Sequence, residues 1–217
     1  MKTAAIIPAR NEEATVGRVV AAARSVVDQV IVVDNGSRDG TSQAGRWAGA
    51  HVVRHETPGK GEAMTAGVEA TEAQVVVFLD ADVVGLTPDH VWALVQPVVD
   101  GRAAMTRGIL SRGMVMDRFT TGPLPLITGQ RAMRREIFDS LRPQHQRGFK
   151  PEAAMEGLAR AYELPTATVL LVGVEHRPKE KKWGLLRGLA ARGRMFLETG
   201  AMVLLAALIY RWRRSRR

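Results

Sequence analysis

The stretch VVVFLDAD, residues 75–82, places an unbroken apolar run directly before two carboxylates. Five apolar residues in a row are typical of a strand buried on both faces, as in the parallel sheet of an α/β protein. Carboxylates that follow such a strand lie in the crevice where open α/β sheets bind ligands. Asp80 and Asp82 could therefore share one hard cation, or they could simply shape the turn after the strand.

Strand-like apolar runs alternate with helical patterns through the first hundred residues. The patterns predict strands at 3–7, 30–33, 51–53 and 75–79, and helices at 12–24, 41–50, 60–70 and 88–99. Because this alternation is typical of βαβ units, we expect an α/β fold with a mainly parallel central sheet flanked by helices. Farther along, the sequence predicts helices around 131–141 and 151–162 and a last strand at 168–174.

The composition limits the possible functions only loosely. A chain of 217 residues with 46% hydrophobic content suits one globular domain or one domain plus an appendage. The absence of cysteine excludes disulfides and thiolate metal sites, and it fits a reducing compartment. The first apolar stretch is too short for a signal peptide, so we expect a cytoplasmic protein.

The formal charge of +9 is concentrated at the C terminus, where five of the last seven residues are arginine. Without them the charge falls to +4, which does not require a nucleic-acid partner, and we expect none. Residues 183–217 combine an amphipathic stretch, an apolar run at 200–210 and the arginine tail. That apolar run is too short to cross a bilayer. We expect a helix that lies on the anionic inner face of the membrane, or one that packs on the domain or on a second subunit of a homodimer.

Polar groups also follow the other three early strands. The first strand runs into PARNEE (8–13), the second into DNGSRDGT (34–41), and the third into TPGKGEA (57–63), where Lys60 lies between two glycines. A glycine-flanked lysine at a helix start favours phosphate. Since parallel strands end at one edge, we expect acids for a base or ribose, a cation for phosphate, and carboxylates for Mg²⁺ or Mn²⁺ to lie together.

The segments IIPARNEEATVGRVV, VIVVDNGSRDGT, GKGEAM and VVFLDAD, in this order, resemble the family 2 glycosyltransferases over residues 1–85. Weaker similarity continues to His176, and the chain is similar to the polyprenyl-phosphate sugar synthase and glucosyl-3-phosphoglycerate synthase subgroups. The resemblance implies a Rossmann-like GT-A nucleotide-diphospho-sugar transferase domain at 1–180, and the separate C-terminal helix expected from the residues at 183–217 would follow it. It also implies an enzyme that moves a sugar from a UDP- or GDP-sugar to an acceptor oxygen with a divalent metal.

The resemblance further implies roles for individual residues. It places nucleotide-sugar contacts at Pro8, Ala9, Arg10, Glu12, Asp34, Ser37, Lys60, Asp80 and Ala81, and metal ligands at Asp82 and His176. Taken by itself, a lone histidine such as His176 is more often structural than a ligand, and the resemblance reverses that preference. Glu152 matches an acidic residue that positions the acceptor or acts as general base, but it could equally be a helix N-terminal carboxylate after Pro151. The acceptor stays unknown, with the tail favouring a lipid-phosphate or envelope acceptor, and the stereochemical outcome stays open.

Several other classes of protein do not fit these residues. PARNEE stands where a dinucleotide oxidoreductase needs G-x-G-x-x-G and where a sugar-nucleotide pyrophosphorylase carries its glycine-rich loop. The segment GQRAMRRE lacks the Q-x-x-R-W motif of a processive polysaccharide synthase. The remaining alternative is a non-catalytic, membrane-associated scaffold with a degenerate nucleotide-sugar-binding fold. Such a scaffold has no use for Lys60, Asp80, Asp82 and His176 together.

Overall fold

The computed structural model describes residues 1–57, 59–111, 128–141, 143–146 and 151–177, together with Leu208. The strands in these residues are β1 Thr3–Ala9, β2 Gln29–Asp34, β3 His51–Arg54, β4 Val75–Phe78, β5 Val83–Val84, β6 Met105–Ser111, β7 Arg131–Arg134, β8 Thr166–Val172 and β9 Glu175–His176. The α-helices are α1 Val16–Arg24, α2 Thr41–Trp47, α3 Lys60–Glu69, α4 Pro88–Val99, α5 Arg135–Asp139 and α6 Pro151–Ala161. A 3₁₀ turn covers Pro143–His145.

Seven of the strands form one mainly parallel sheet, in the order β3-β2-β1-β4-β7-β6-β8. Strands β3, β2, β1 and β4 are parallel neighbours, and β6 and β8 are also parallel. Strand β7 runs antiparallel to both of its neighbours, β4 and β6. The predicted α/β class and mainly parallel sheet are thus confirmed. The first four strands end at the same edge of the sheet.

Strand β4 is buried on both faces, as its sequence predicts. Val75 and Val77 belong to a core cluster that also contains the inner faces of α1 and α4. Val76 and Phe78 belong to a second cluster, on the other side of the sheet, with α3, α5 and α6. All four side chains of the strand are at most 2% exposed. The carboxylates that follow β4 are therefore carried by a strand in the centre of the fold.

The predicted helix at 131–141 is wrong in its first third. Residues Arg131–Arg134 form β7, and only Arg135–Asp139 are helical. Ala132 and Met133 are fully buried between β4 and β6, so hydrogen bonds to two strands replace the helical bonds that the local sequence favours. Strand β6, in the segment where the sequence pattern loosens, was not predicted. Both differences arise from pairing between residues distant in the chain.

Smaller differences concern the ends of elements. Helix α1 begins at Val16, because residues 12–15 form a turn in which the Val16 amide donates to the Glu12 carbonyl at 2.9 Å. Helix α4 has the predicted bounds. It begins after Thr87, whose side chain accepts from the His90 amide in a capping box. The last long strand is Thr166–Val172, two residues earlier than predicted.

A second, two-stranded sheet pairs β5 with β9 in antiparallel fashion, with Val83 opposite His176. Gly85 permits this pairing, because it has a φ of 78° and a Cβ there would lie 2.1 Å from the Gly173 carbonyl oxygen. The pair brings the end of the described chain back beside the end of β4. No helix in the described residues is long and apolar enough to cross a membrane. The predicted C-terminal helix at 183–217 lies outside the described residues, apart from Leu208.

Candidate metal and nucleotide site

Asp80, Asp82 and His176 converge at the end of β4. One potential ligand atom from each of the three lies within 4.8 Å of the others. His176 reaches this place because β9 pairs with β5, which directly follows Asp82. Its Nδ1 lies 3.1 Å from Asp82 Oδ1. Sequence reasoning predicted metal or ribose contacts for these three residues, and the fold places them next to one another.

The donor set of this cluster fits a hard or borderline divalent cation. Two carboxylates and one imidazole suit Mn²⁺ well and Mg²⁺ acceptably, whereas a soft metal would prefer the thiolates that this chain lacks. The hydrogen bond with Asp82 raises the pKa of His176 above its ordinary value, and this effect outweighs the partial burial of the ring. A proton on His176 would compete with a metal ion for the ring nitrogen.

Lys60 lies at the first position of α3 and joins two carboxylates. Its Nζ is 2.6 Å from Asp80 Oδ1 and 2.9 Å from Glu152 Oε1. Burial, the largest single influence, lowers the pKa of Lys60, but attraction to Asp80 and Glu152 outweighs it and leaves the pKa above its ordinary value. The ammonium group is therefore a fixed positive charge beside the candidate metal ligands. A quarter of the side chain stays exposed at the surface.

Glu152 has features of both roles that its sequence leaves open, a helix N-terminal carboxylate and a residue of the site. It lies in the first turn of α6, directly after Pro151, as expected of a helix N-terminal carboxylate. It also faces the site, because Oε1 contacts Lys60. The residue is 4% exposed, and its Oε2 has no hydrogen-bond partner in the described part of the chain. Its role in acceptor positioning or base catalysis stays a prediction.

Gln130 is a site residue that sequence reasoning did not single out. It is fully buried, and its side chain forms two hydrogen bonds to Asp80. Gly129 before it allows this approach, because a Cβ at that position would lie 2.1 Å from Asp80 Oδ1. Gly129 and Gln130 directly precede β7 and are brought to Asp80 by the antiparallel pairing of β7 with β4. Sequence reasoning missed them because it predicted residues 131–141 as a helix.

The predicted nucleoside segments, 8–13 and 34–41, are joined by hydrogen bonds. The Asn11 amide donates to Ser37 Oγ at 2.9 Å, and the Arg38 amide donates to Asn11 Oδ1 at 2.9 Å. The Glu12 amide donates to Thr41 Oγ1 at 2.8 Å. These bonds connect the end of β1 to the start of α2. The two motifs therefore form one surface beside the ends of β1 and β2.

Asp34 lies at the predicted edge but is only 3% exposed. Its carboxylate accepts hydrogen bonds from the Ser37 amide and from the Ser42 hydroxyl. Burial raises the pKa of Asp34, but these two bonds together with the nearby charge of Arg54 outweigh it, so the pKa lies below its ordinary value. The structure thus shows Asp34 organising its own loop, and its contact with a base stays a prediction.

The other predicted contacts lie along the same edge with different exposure. Ala9 pairs with Asp34 in the sheet register and is 3% exposed, whereas Pro8 is partly exposed and Arg10 is exposed. Ala81, between the two carboxylates, is buried. The side chain of Asn35 donates to the Gly59 carbonyl at 2.8 Å, which links this loop to the start of α3. The nucleoside segments and the Lys60 region are thus adjacent.

The sequence of the chain matches that of a known protein family. The model of the family described as Glycosyl transferase family 2 matches residues 4–158. A glucosyl-3-phosphoglycerate synthase of Mycobacterium tuberculosis is 32% identical over 154 residues, which cover 64% of this chain and 48% of that protein. A glucosyl-3-phosphoglycerate synthase of Mycolicibacterium paratuberculosis is 37% identical over 108 residues, which cover 44% of this chain and 33% of that protein. The chain spans about half the length of the curated relatives it matches, or less.

Solved structures give a longer match. The glucosyl-3-phosphoglycerate synthase of M. tuberculosis in complex with Mn²⁺, UDP-glucose and phosphoglyceric acid has a TM-score of 0.74 and 28% identity. That match covers 95% of this chain and 79% of the other chain. The complex of the same synthase with Mg²⁺ and UDP also has a TM-score of 0.74 and 28% identity, and it covers 91% of this chain and 77% of the other.

Proposed function

The chain belongs to glycosyl transferase family 2 and has the GT-A fold, and we propose that it transfers a sugar from a nucleotide-diphosphate donor to an acceptor oxygen. The observation that carries this proposal is the convergence of Asp80, Asp82 and His176 at the end of β4. It supplies a divalent-metal site at the edge where parallel α/β sheets bind ligands. The positive charge of Lys60 lies directly beside it.

In this proposal Asp82 and His176 hold Mn²⁺ or Mg²⁺, and Asp80 contacts the metal or the ribose. The bound cation would stabilise the negative charge that develops on the departing diphosphate. Lys60 adds a second positive charge, which its contacts with Asp80 and Glu152 keep in place before the donor arrives. The segments at 8–13 and 34–41 hold the nucleoside through Pro8, Ala9, Arg10, Glu12, Asp34 and Ser37.

Glu152 is the proposed acceptor-side residue. It lies across Lys60 from Asp80, so it is close to the donor phosphate region without belonging to the candidate metal cluster. A carboxylate there can orient an acceptor hydroxyl or take its proton. An acceptor that is already an anion, such as a phosphate, would not need the base. For that reason we assign no stereochemical outcome.

UDP-glucose is the donor that we propose to test first, and phosphoglycerate the first acceptor. Both are bound in the solved synthase that resembles this chain over 95% of its length. A lipid-phosphate or envelope acceptor is the second candidate, and it draws its support from the apolar run at 200–210 and the arginine tail. In that case the chain would act at the inner face of the membrane.

The test is a thermal-shift panel with UDP-, GDP- and dTDP-sugars, each with Mn²⁺, Mg²⁺ or EDTA. We expect a metal-dependent shift with UDP-glucose, absent in Asp82→Ala, followed by glucose transfer to phosphoglycerate or to a polyprenyl phosphate. If no donor gives a shift, the chain is a degenerate scaffold instead of an enzyme. If a donor binds but neither acceptor is glycosylated, donor binding stands and the acceptor proposal fails.

A further inference from the structure

We infer that Gln130 is a positioning residue for the metal site: its amide fixes the Asp80 carboxylate, so that Asp80 and Asp82 present their oxygens towards His176. This inference rests on the proposed function, because it concerns the same site. It assigns a task to a residue that lies outside the three-residue cluster.

The side-chain amide of Gln130 forms two hydrogen bonds with Asp80. Its Nε2 donates to Asp80 Oδ2 at 3.0 Å, and its Oε1 accepts from the Asp80 backbone amide at 3.2 Å. The first bond sets the rotation of the carboxylate, and the second sets the position of the peptide that leads to Asp82. A primary amide can make both bonds at once, because it carries a donor and an acceptor side by side. The bond to the ionised carboxylate is of the stronger, charge-assisted kind.

The backbone of Gln130 is itself held from two sides. Its amide donates to Thr128 Oγ1 at 3.1 Å, and its carbonyl accepts from the Gly108 amide at 2.7 Å. The next residue, Arg131, pairs with Phe78 in the antiparallel register of β7 and β4. The side chain is therefore presented to Asp80 by a segment that is anchored on both neighbouring strands, and little of its own freedom remains.

Packing alone does not explain an amide at this position. Gln130 is 0% exposed, and burying an amide costs free energy that a methionine or leucine of similar size would not cost. In the described part of the chain both of its side-chain hydrogen bonds go to Asp80. Lys60 contacts the other carboxylate oxygen, Oδ1. If Lys60 turns towards a donor phosphate, Gln130 still keeps the carboxylate oriented.

The experiment compares Gln130→Met with Thr106→Val in the full chain. Methionine keeps the length of the side chain but removes both bonds to Asp80. Thr106 is the matched control, because its fully buried hydroxyl donates to the Leu94 carbonyl at 2.7 Å and accepts from the Ala132 backbone amide at 3.2 Å, and these bonds go to backbone groups outside the Asp80, Asp82 and His176 cluster. The dissociation constant of Mn²⁺ is measured from the electron paramagnetic resonance signal of the free ion, with and without UDP. Stability is measured by urea denaturation without metal.

We expect Gln130→Met to raise the Mn²⁺ dissociation constant by about 10–100-fold, the usual effect of removing a partner of a metal ligand. Thr106→Val should lower stability while leaving that constant within about twofold of the unchanged chain, as expected when metal ligands and their partners are intact. A Gln130→Met protein that binds Mn²⁺ as the unchanged chain does would overturn the inference and leave the proposed function standing. An unchanged chain that binds no Mn²⁺, even with UDP, would overturn both.

If Gln130→Met does not fold, Gln130→Asn carries the test. The shorter amide keeps the polarity of the site but cannot reach both the carboxylate and the backbone amide of Asp80. We expect a smaller rise in the Mn²⁺ dissociation constant than full loss of the amide would cause. An unchanged constant in the folded Gln130→Asn protein would show that the two-point contact has no role in metal binding.

Discussion

At the candidate metal cluster and Lys60, the charged side chains face opposite charges. Lys60 lies between Asp80 and Glu152, and His176 lies against Asp82. Glu152 is almost completely buried, so removing Lys60 would leave its carboxylate without its ion-pair partner in a medium that solvates charge poorly. The same residues that would bind a donor therefore also determine the stability of this edge of the sheet.

Lys60→Met should lower the free energy of unfolding by about 3 kcal/mol, because Glu152 and Asp80 lose their shared cation. Lys60→Arg, which keeps the charge, should lose less. Urea denaturation at pH 7 measures both. Lys2→Met is the control, since Lys2 is exposed, and its stability should match that of the unchanged chain. Equal stability of Lys60→Met and Lys2→Met would contradict this account of the ion pairs.

Asp82→Asn should raise the Mn²⁺ dissociation constant by at least about tenfold, because a neutral amide is a poorer ligand for a hard cation. Asp89→Asn is the matched control. Asp89 is an exposed acid in the first turn of α4 and lies outside the cluster. Titration calorimetry with Mn²⁺ measures the two variants. If both bind Mn²⁺ equally well, the metal does not use Asp82.

At the scale of elements, the two loops that follow β1 and β2 act as one unit. The Asn11 amide donates to the Ser37 hydroxyl, and Asp34 closes the second loop by accepting from the Ser37 amide and the Ser42 hydroxyl. The carboxylate of Asp34 has a lowered pKa, so its hydrogen bonds stabilise the folded state while it is ionised. That contribution is complete above the unfolded pKa of about 3.9 and is lost as the pH falls towards the lower folded value.

Asp34→Asn should therefore lower stability by about 1.5–3 kcal/mol at pH 7, the usual range for a hydrogen bond to a charged group. The difference from the unchanged chain should shrink as the pH falls from about 4, the unfolded pKa, towards the lower folded pKa, where the native carboxylate also takes up a proton. Denaturation curves at pH 7 and pH 3 measure it. A difference that stays constant across this range would mean that the charge of Asp34 is irrelevant to the loop.

Asp28→Asn separates stability from nucleotide binding. Asp28 accepts from the Thr3 amide at 2.7 Å at the start of β1, which is the opposite edge of the sheet from the site, and its pKa is also lowered. We expect Asp28→Asn and Asp34→Asn to be less stable than the unchanged chain. Only Asp34→Asn should bind UDP more weakly. If Asp28→Asn weakens UDP binding equally, the effect reflects general loss of stability.

At the scale of the whole molecule, the site lies where the parallel strands β1–β4 meet the antiparallel β7. The parallel half contributes Asp80, Asp82 and Lys60, and the other half contributes Gln130, Glu152 and His176. Neither half contains the complete set of residues. The proposed division into a transferase domain at 1–180 and a C-terminal helix at 183–217 remains a prediction.

Changes in the arginine tail test whether residues 183–217 attach the chain to a membrane surface. Replacing Arg211, Arg213, Arg214, Arg216 and Arg217 by serine in the full chain should abolish sedimentation with vesicles containing anionic lipid, since each arginine contributes about 1 kcal/mol near such a surface. Binding of UDP with Mn²⁺ should not change. The unchanged chain should also lose vesicle binding at high salt. If the variant still binds vesicles, attachment depends on the apolar run at 200–210. If neither the variant nor the unchanged chain binds vesicles, the membrane prediction is wrong.

The sequence by itself determined the elements whose signals are local. The apolar run of β4, the alternation that makes β1–β4 parallel, and the polar groups at their ends are all contained in short windows, and they predicted Asp80, Asp82 and Lys60 as neighbours. Only the tertiary structure decided β7, the contact of Gln130 with Asp80, and the approach of Glu152 to Lys60. These depend on antiparallel pairing and on packing between segments 50 or more residues apart. Such long-range contacts outweigh the helical preference of residues 131–134 because they bury Ala132 and Met133 completely, which no local pattern records.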